Sequence, residues 1–313
     1  MQSLLIIIGA LLLDRWLGEP RRWHPLIGFG RLTQWLEGRL YPNDSNNTQQ
    51  HRWRGVLAVL LLVAPLPGLL FYLLEQFPSS GFLAVIELLG LYLCLGRRSL
   101  IQHAEAIATP LARGDLDQAR KRTGYIVSRD TESLDQAAMS RAAIESVLEN
   151  GNDACFASLF WFLIGGLPLA LLHRLANTLD AMWGYKSERY LHFGWAAARL
   201  DDLLGWLPAR LTALSYALTG QTRNAFRCWK QQAPLHDSPN AGPVMAAGAG
   251  AVGVTIGGPA HYHGQLKPRP VFGSGDNANV AHIDRATALL NRSVGLWLAL
   301  IAALLFVDYA LNL

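Results

Sequence analysis

Long, almost uncharged stretches of apolar residues constrain what this chain of 313 residues can fold into. A helix needs about 20 apolar residues to cross a hydrocarbon core of about 30 Å, because each residue contributes about 1.5 Å. Four stretches predict spans over about residues 3–17, 55–74, 78–96 and 294–311. Only 16% of the residues are charged, against about 25% in soluble proteins. We therefore expect a multi-pass membrane protein, and the apolar content excludes intrinsic disorder.

A fifth apolar stretch, residues 154–173, contains the helix-breaking sequence Gly165-Gly166-Leu167-Pro168. Broken helices at membrane depth are tolerated only where they are buried in protein or line a cavity. The sequence therefore predicts a broken or re-entrant helix here. An ordinary fifth span with a Gly-Pro kink is the alternative.

The basic residues predict the topology. None of the 27 Lys and Arg residues lies before residue 14, between 75 and 81, or after 293. Because basic residues accumulate on the cytoplasmic side, we expect the segments 97–153 and 174–293 to be cytoplasmic. The predicted location is the bacterial inner membrane, with the active face in the cytoplasm. The predicted fold class is all-α: one membrane-embedded domain over residues 1–313, with four full spans, one broken helix and in-plane amphipathic cytoplasmic helices.

A charged helix face precedes the fifth apolar stretch. Arg141, Glu145 and Glu149 are four residues apart on a helix predicted over Ser133–Glu149, so they share one face. Asp130 or Thr131 is suited to cap a helix in this region. Polar groups that enter a bilayer are costly and tend to be functional. This face is therefore a candidate site, and a solvated stripe of salt bridges is the alternative.

The second cytoplasmic segment carries several weaker patterns. Residues 193–207 predict an amphipathic helix in the membrane plane, and Pro208 is expected to begin another. The pattern Gly248-x-Gly250-x-x-Gly253 matches a dinucleotide fingerprint, but no strand precedes it and no acidic residue follows at the right distance. We expect these small residues to let helices approach closely. Nucleic-acid binding is not expected, because the basic residues follow the membrane side.

Together the motifs resemble the CobD/CbiB family of membrane proteins, the adenosylcobinamide-phosphate synthases of cobalamin biosynthesis. The resemblance runs from about residue 9 to residue 292. The motifs that carry it are Asp14, Gly18, Glu19-Pro20, His24-Pro25, Gly28, residues 128–131 (SRDT), 140–147 (SRAAIESV), Glu149-Asn150, 177–180 (NTLD), 184–186 (GYK), 198–202 (ARLDD), 208–211 (PARL), 238–242 (SPNAG), Tyr262-x-Gly264 and Arg269-Pro270. The chain departs from the family pattern at Gly151, Ser158 and Glu19.

The resemblance implies an ATP-dependent ligase that joins adenosylcobyric acid to aminopropanol phosphate, or to aminopropanol, through an amide bond. The implied partners are these substrates, the lipid bilayer and other membrane-bound enzymes late in cobalamin biosynthesis. ATP and Mg²⁺ are the implied cofactors, and no prosthetic group is expected. Such a reaction needs carboxylates for the metal, cations for the phosphates and a base for the ammonium proton.

The candidate residues follow from those needs. Predicted catalytic residues are Glu145, Glu149 and Asp153. Predicted Mg²⁺ ligands are Asp153, Asp201 and Asp202. Predicted substrate-binding residues are Arg129, Asp130, Arg141, Asn150, Asn177, Asp180, Lys186, Arg199, Arg210, Ser238 and Asn240. Among these, the arginines and the lysine are expected at phosphates, and the asparagines at corrinoid amides.

Three other functions compete with the ligase. A sensor of the AmpE type should lack much of the Arg/Asp/Glu constellation, which this chain retains. A transporter should carry charges within its spans and often an internal repeat, whereas these spans are almost uncharged and no repeat is evident. A corrinoid-binding scaffold without chemistry stays open because of the departures at Gly151 and Ser158.

Overall fold

The computed structural model describes residues 2–20, 24–41, 47–77, 81–262 and 264–311. Helices dominate it. In chain order they are α1 (Gln2–Leu17), α2 (Pro25–Leu40), α3 (Thr48–Val63), α4 (Pro65–Gln76), α5 (Gly81–Cys94), α6 (Arg97–Ala112), α7 (Leu116–Thr123), α8 (Gln136–Gly151), α9 (Ala157–Trp183), α10 (Tyr190–Phe193), α11 (Trp195–Thr219), α12 (Thr222–Gln232), α13 (Ala241–Val252) and α14 (Val280–Leu311).

Five short strands lie between α13 and α14, and the sequence patterns did not predict them. They are β1 (Val254–Gly257), β2 (Ala260–Tyr262), β3 (Gln265–Lys267), β4 (Val271–Gly273) and β5 (Asp276–Asn277). Strand β1 pairs antiparallel with β4 and parallel with β5, while β2 and β3 form a separate antiparallel hairpin. The predicted all-α class is confirmed, with this small strand content added to it.

Within the described residues, three helical stretches are long and apolar enough to cross a membrane: Thr48–Gln76, Gln136–Trp183 and Val280–Leu311. The first and third contain the predicted spans 55–74 and 294–311. The predicted spans 3–17 and 78–96 correspond to the shorter helices α1 and α5, of 16 and 14 residues. Residues 78–80, at the start of the predicted span 78–96, lie outside the described residues.

The predicted break in the fifth apolar stretch is confirmed. Inside α9, Gly165 has φ −150° and ψ 30°, and Gly166 has φ 65° and ψ −159°. A positive φ is strained for residues with a Cβ, so glycine is needed at Gly166. Re-entry of this helix on one side of the membrane stays a prediction.

The described chain divides into two compact units. The first comprises Met1–Gly96 and Ala157–Gly205, and the second comprises Arg97–Phe156 and Trp206–Leu313. The single domain expected over residues 1–313 stays a prediction.

Trp183 and Phe193 form the centre of the core of the first unit. They are fully buried, and their rings meet edge to face with centroids 5.0 Å apart. Residues of α3 and α9 complete this core, including Leu62 and Leu179. Gly55 packs directly on the Phe193 carbonyl, which leaves no space there for a Cβ. The helices of this unit therefore pack backbone to backbone at that point.

Helix α8 is the centre of the second unit, where it packs against α6, α13, α14 and β1. Every residue of α13 is buried. A Cβ on Gly248 would come within 2.7 Å of Leu148 and 3.0 Å of Tyr216, so only glycine allows this approach. The expectation of close helix packing is thus confirmed. The glycine pattern 248–253 lies in and at the end of a helix, not after a strand.

Two local predictions are wrong. No new helix begins at Pro208, because α11 runs through it. Proline leaves the carbonyl four residues before it without its helical donor, but Trp161 Nε1 donates to that Leu204 carbonyl at 2.9 Å. Helix α8 is capped by Asp135, whose Oδ1 accepts from the Ala138 amide at 2.7 Å, and not by Asp130 or Thr131.

Candidate functional site

The Glu145 carboxylate is the centre of a buried ionic cluster in the second unit. Its Oε1 accepts a hydrogen bond from the Gly257 amide at 2.8 Å. Its Oε2 accepts one from Arg269 at 3.0 Å and lies 3.4 Å from the Arg129 guanidinium. The side chains of Glu145 and Arg129 are only 9% and 7% exposed. Two guanidiniums and a backbone amide therefore surround one carboxylate, which satisfies both of its oxygens.

Electrostatics keeps this cluster charged. Burial lowers the pKa of Arg129, while the Glu145 carboxylate counteracts that effect. Burial also opposes the charge of Arg269, but its interactions with Glu145, Tyr262 and Glu149 together outweigh burial and raise the pKa of Arg269. Arg141, half-buried on the same helix as Glu145, adds a further positive charge close to Arg129. Two guanidiniums thus share one buried carboxylate, with a third close to Arg129, and this local excess of positive charge favours an anionic ligand.

A cavity of about 660 Å³ opens beside Arg129. Residues of both charges line it: Arg129, Asp130, Thr131, Glu132, Ser133, His261 and the neighbouring glycines. Asp130 connects the wall of this cavity to the β2–β3 hairpin through two hydrogen bonds. The Asp130 backbone amide donates to the His261 carbonyl at 2.9 Å, and Asp130 Oδ2 accepts from the Gly264 amide at 2.8 Å. The Nε and one terminal nitrogen of Arg129 are buried without a hydrogen-bond partner among the described residues.

Glu149 lies one turn after Glu145 on α8 and is half-buried. Its carboxylate makes no hydrogen bond or ion pair within the described part of the chain. The charges that act on it most strongly are those of Asp153, Glu145 and Arg269. Among the three predicted catalytic residues, Glu149 is therefore the one whose carboxylate is left to accept a proton.

A π-helical turn, Asn152–Phe156, carries Asp153 directly after α8. Such turns widen a helix locally and are frequent at functional sites. The Asn152 amide donates to Asp153 Oδ1 at 2.8 Å, and Asn152 Oδ1 accepts from the buried Thr212 hydroxyl at 3.0 Å. The Asp153 carboxylate is thus oriented by a chain of two hydrogen bonds.

Gly151 departs from the family pattern for a steric reason. A Cβ at this position would lie 2.5 Å from the Tyr216 hydroxyl and 3.0 Å from a methyl group of Leu290. The Tyr216 hydroxyl occupies that space because it donates to the Leu148 carbonyl at 3.2 Å. The departure leaves the contacts of Asp153 in place. At the second departure, the Ser158 hydroxyl donates to the Cys94 carbonyl at 3.3 Å.

Several predicted residues belong to the first unit and form a polar group of their own. The Asn177 amide donates to Asp201 Oδ1 at 3.2 Å, and Arg199 contacts Asp202 Oδ2 at 3.3 Å. Burial raises the pKa of Asp202, while Arg199 and Lys186 counteract that effect. In the same unit the Asp180 backbone carbonyl accepts from the Gly184 amide at 2.7 Å.

The remaining predicted residues have local partners in the second unit. Asn150 is exposed and donates to the backbone and hydroxyl oxygens of Ser146. Arg210 donates to the Trp206 carbonyl and lies over the Trp206 ring. Ser238 Oγ accepts from the Asn240 and Ala241 amides at the start of α13. Among the described residues, those that line the cavity beside Arg129 do not include Asn150, Arg210, Ser238 or Asn240.

The predicted Mg²⁺ ligands are divided between the units, with Asp153 in the second and Asp201 and Asp202 in the first. Within the described ranges, no three His, Cys, Asp or Glu side chains converge on one metal position. Mg²⁺ in phosphoryl-transfer sites needs only one or two carboxylates, because substrate phosphates and water supply the other ligands. The oriented carboxylate of Asp153 fits that requirement, and the grouping with Asp201 and Asp202 stays a prediction.

Sequence reasoning missed four long-range contacts of this site. Arg269 and the Gly257 amide reach Glu145 across 124 and 112 residues of sequence. His261 and Gly264 bind Asp130 across a similar separation. The motifs Tyr262-x-Gly264 and Arg269-Pro270 had marked this region, but no local pattern assigned it to the Glu145 helix.

Comparisons with known proteins agree with these motifs. The chain matches the family model described as CobD/Cbib protein over residues 7–290. Proteins named "Cobalamin biosynthesis protein CobD" are similar to it: one from Chromobacterium violaceum is 57% identical over 96% of both chains, and one from Stutzerimonas stutzeri is 56% identical over 95% of this chain and 96% of its own. One from Mycobacterium tuberculosis is 39% identical over 96% of this chain and 94% of its own. No solved structure matches the chain. The chain belongs to the CobD/CbiB family.

Proposed function

We propose that this protein acts in cobalamin biosynthesis as a membrane-bound ligase. It joins the carboxylate of adenosylcobyric acid to the amine of aminopropanol phosphate, or of aminopropanol, with consumption of ATP. Family membership and the names of the relatives support the pathway. The observation that carries the reaction is the buried Arg129 guanidinium at the wall of a cavity whose other residues include acids and hydroxyls.

The lining of the cavity suits a zwitterion. Arg129 supplies a buried cation for a phosphate group, and guanidinium–phosphate hydrogen bonds are among the strongest in proteins. Thr131 and Ser133 add hydroxyl donors, while Asp130 and Glu132 supply negative charge for an ammonium group. Aminopropanol phosphate carries both groups a few bonds apart. The volume of about 660 Å³ also leaves space for the reacting end of a second substrate.

We assign Glu145 a positioning role. Its two oxygens already accept from Arg269 and Gly257, so the carboxylate has little capacity left for a substrate proton. It holds Arg129 and Arg269 close together despite their mutual repulsion. Without it, the two guanidiniums would separate and the phosphate-binding geometry would be lost.

Glu149 is the proposed base. In the reaction the substrate carboxylate is phosphorylated with release of ADP, and the amine nitrogen then displaces phosphate to form the amide bond. The amine must lose a proton to become nucleophilic, and Glu149 accepts it. Asp153 would hold Mg²⁺ together with the phosphates of the nucleotide. When bound, the metal supplies neutralisation of the phosphate charge.

Purified full-length protein tests the proposal. It is mixed with adenosylcobyric acid, aminopropanol phosphate, Mg²⁺ and ATP, and the amide product is measured by mass spectrometry. We expect product with wild type, and at least a hundredfold less with Glu149→Gln, since loss of a positioned base typically costs about 10²–10⁴ in rate. The matched control is Glu105→Gln, which removes an exposed carboxylate on α6 and should retain full activity.

The outcomes separate the competing functions. If wild type binds adenosylcobyric acid but forms no amide with any nucleoside triphosphate, the protein is a corrinoid-binding scaffold. Wild type that neither forms product nor binds the corrinoid favours a sensor of the AmpE type. Full activity of the Glu149→Gln variant would agree with the ligase function but refute the proposal that Glu149 is the base.

A further inference from the structure

The exposed face of α12 is basic and contains no opposing charge. The helix sequence includes Arg223, Arg227 and Lys230, and no Asp or Glu. These three side chains are exposed, whereas Ala225 and Cys228 on the opposite side are buried against α13. Arg223 and Lys230 make no hydrogen bond or ion pair within the described residues. The fold of the protein therefore leaves their charges uncompensated.

Aromatic side chains accompany these cations. Phe226 is 41% exposed although it is large and apolar, and its ring stacks on Trp229 with centroids 6.2 Å apart and planes 9° apart. Basic residues combined with exposed Phe or Trp on one helix are typical of helices that lie in the membrane interface.

Hydrogen bonds place the start of α12 next to the start of the predicted span 294–311 of α14. Thr219, at the end of α11, pairs its hydroxyl with Ser293 at 2.8 Å, and its carbonyl accepts from Arg292 Nε at 3.1 Å. Ser293 immediately precedes the apolar stretch 294–311 of α14. Because α12 begins only three residues after Thr219, its first turn lies beside the start of the apolar stretch that is predicted to cross the membrane.

A cavity of about 390 Å³ lies at this first turn. It is lined by Gln221, Thr222, Arg223, Asn224 and Arg227. Arg227 is oriented by Asn224 Oδ1 at 2.7 Å and by the Ser274 hydroxyl at 3.0 Å. Two guanidiniums at a cavity of this size, beside backbone amides of a helix start, are suited to a phosphate group.

We propose that this α12 face, composed of Arg223, Phe226, Arg227 and Lys230, binds the head groups of anionic phospholipids in the leaflet where α14 begins. The occupant is a lipid and not a soluble anion, because the aromatic pair and the position beside the span start both favour the bilayer interface. This inference does not depend on the ligase reaction. The contact would fix the cytoplasmic part of the second unit against the membrane surface.

Native mass spectrometry tests this on the full chain, released from mixed micelles that contain phosphatidylglycerol and phosphatidylcholine. The variant is Arg223→Gln/Lys230→Gln, which breaks no contact within the described protein. Each basic residue near an anionic surface contributes about fivefold in affinity, so we expect the preference for phosphatidylglycerol to fall by roughly 30-fold. The matched control is Lys121→Gln/Arg122→Gln on α7, where two exposed charges are removed and the preference should persist.

Three results would overturn the proposal. The α12 variant could retain phosphatidylglycerol as wild type does. The α7 control could lose it to the same extent, which would indicate a general effect of net charge. A large excess of inorganic phosphate could displace the lipid from wild type, which would indicate a site for a soluble anion. Loss in the α12 variant alone, insensitive to phosphate, would support it.

Discussion

Replacement of Glu145 by glutamine should destabilise the second unit strongly. The side chain is 9% exposed and faces two guanidiniums, Arg129 and Arg269, whose side chains are 7% and 23% exposed. Breaking a buried ion pair by removing one partner costs about 3–5 kcal/mol. Glutamine keeps the shape and one acceptor oxygen, so we expect about 3 kcal/mol for Glu145→Gln.

A double-mutant cycle separates the pair from the rest of the cluster. Arg269→Gln leaves Glu145 with Arg129 at 3.4 Å and the Gly257 amide at 2.8 Å, so it should cost about 2 kcal/mol. The double variant should cost about 1.5 kcal/mol less than the sum of the single variants. Each single variant leaves the other residue of the pair without its partner, and this penalty is absent when both are replaced.

Unfolding by sodium dodecyl sulfate in mixed micelles, followed by tryptophan fluorescence, measures these free energies. The control cycle is Asp117→Asn with Arg120→Gln on α7, a pair at 2.9 Å whose Asp117 side chain is 96% exposed. Exposed pairs contribute about 0.2–1 kcal/mol at most. A Glu145–Arg269 coupling no larger than that of the control would refute the argument that burial strengthens this cluster.

Three further predictions follow from named contacts. Gly151→Ser should lower the thermal stability by about 1–3 kcal/mol through overpacking against the Tyr216 hydroxyl, and Tyr216→Phe in the same chain should recover part of it; equal losses in both would contradict the steric explanation. Burial lowers the pKa of His24 below 6.5, so the unfolded chain takes up a proton first and stability should fall as pH falls below about 6.5; a thermal scan of His24→Asn should show a flatter pH dependence. Asp153→Asn should abolish amide formation while the protein stays in the membrane, and normal complementation in vivo by this variant would refute its role.

Local sequence patterns predicted most of the helical architecture. The apolar stretches 55–74 and 294–311 lie in helices long enough to span a membrane, since hydrocarbon forces a chain to satisfy its backbone polar groups internally. The break at Gly165-Gly166 was also predictable, because a positive φ and a following proline are local properties. The continuation of α11 through Pro208 was not predictable, since the donor that compensates for the proline is Trp161, 43 residues before the Leu204 carbonyl that it reaches.

The candidate site shows the same division. The spacing of Arg141, Glu145 and Glu149 placed them on one face, as a helix repeat requires. Their different environments came from elsewhere in the chain: Glu145 is enclosed by Arg269 and Gly257, whereas Glu149 meets no such partner among the described residues. No periodicity in the sequence could distinguish the two carboxylates.

The sequence by itself therefore determined that apolar helices suited to a membrane form, and which polar residues are candidates for chemistry. Both follow from hydropathy and charge, which depend on composition along a short window. Tertiary structure alone decided that Glu145 is neutralised by Arg129 and Arg269, whereas Glu149 makes no ion pair among the described residues. That choice depends on contacts between residues more than 100 positions apart, where strands β1 to β4 bring Gly257 and Arg269 to the face of α8.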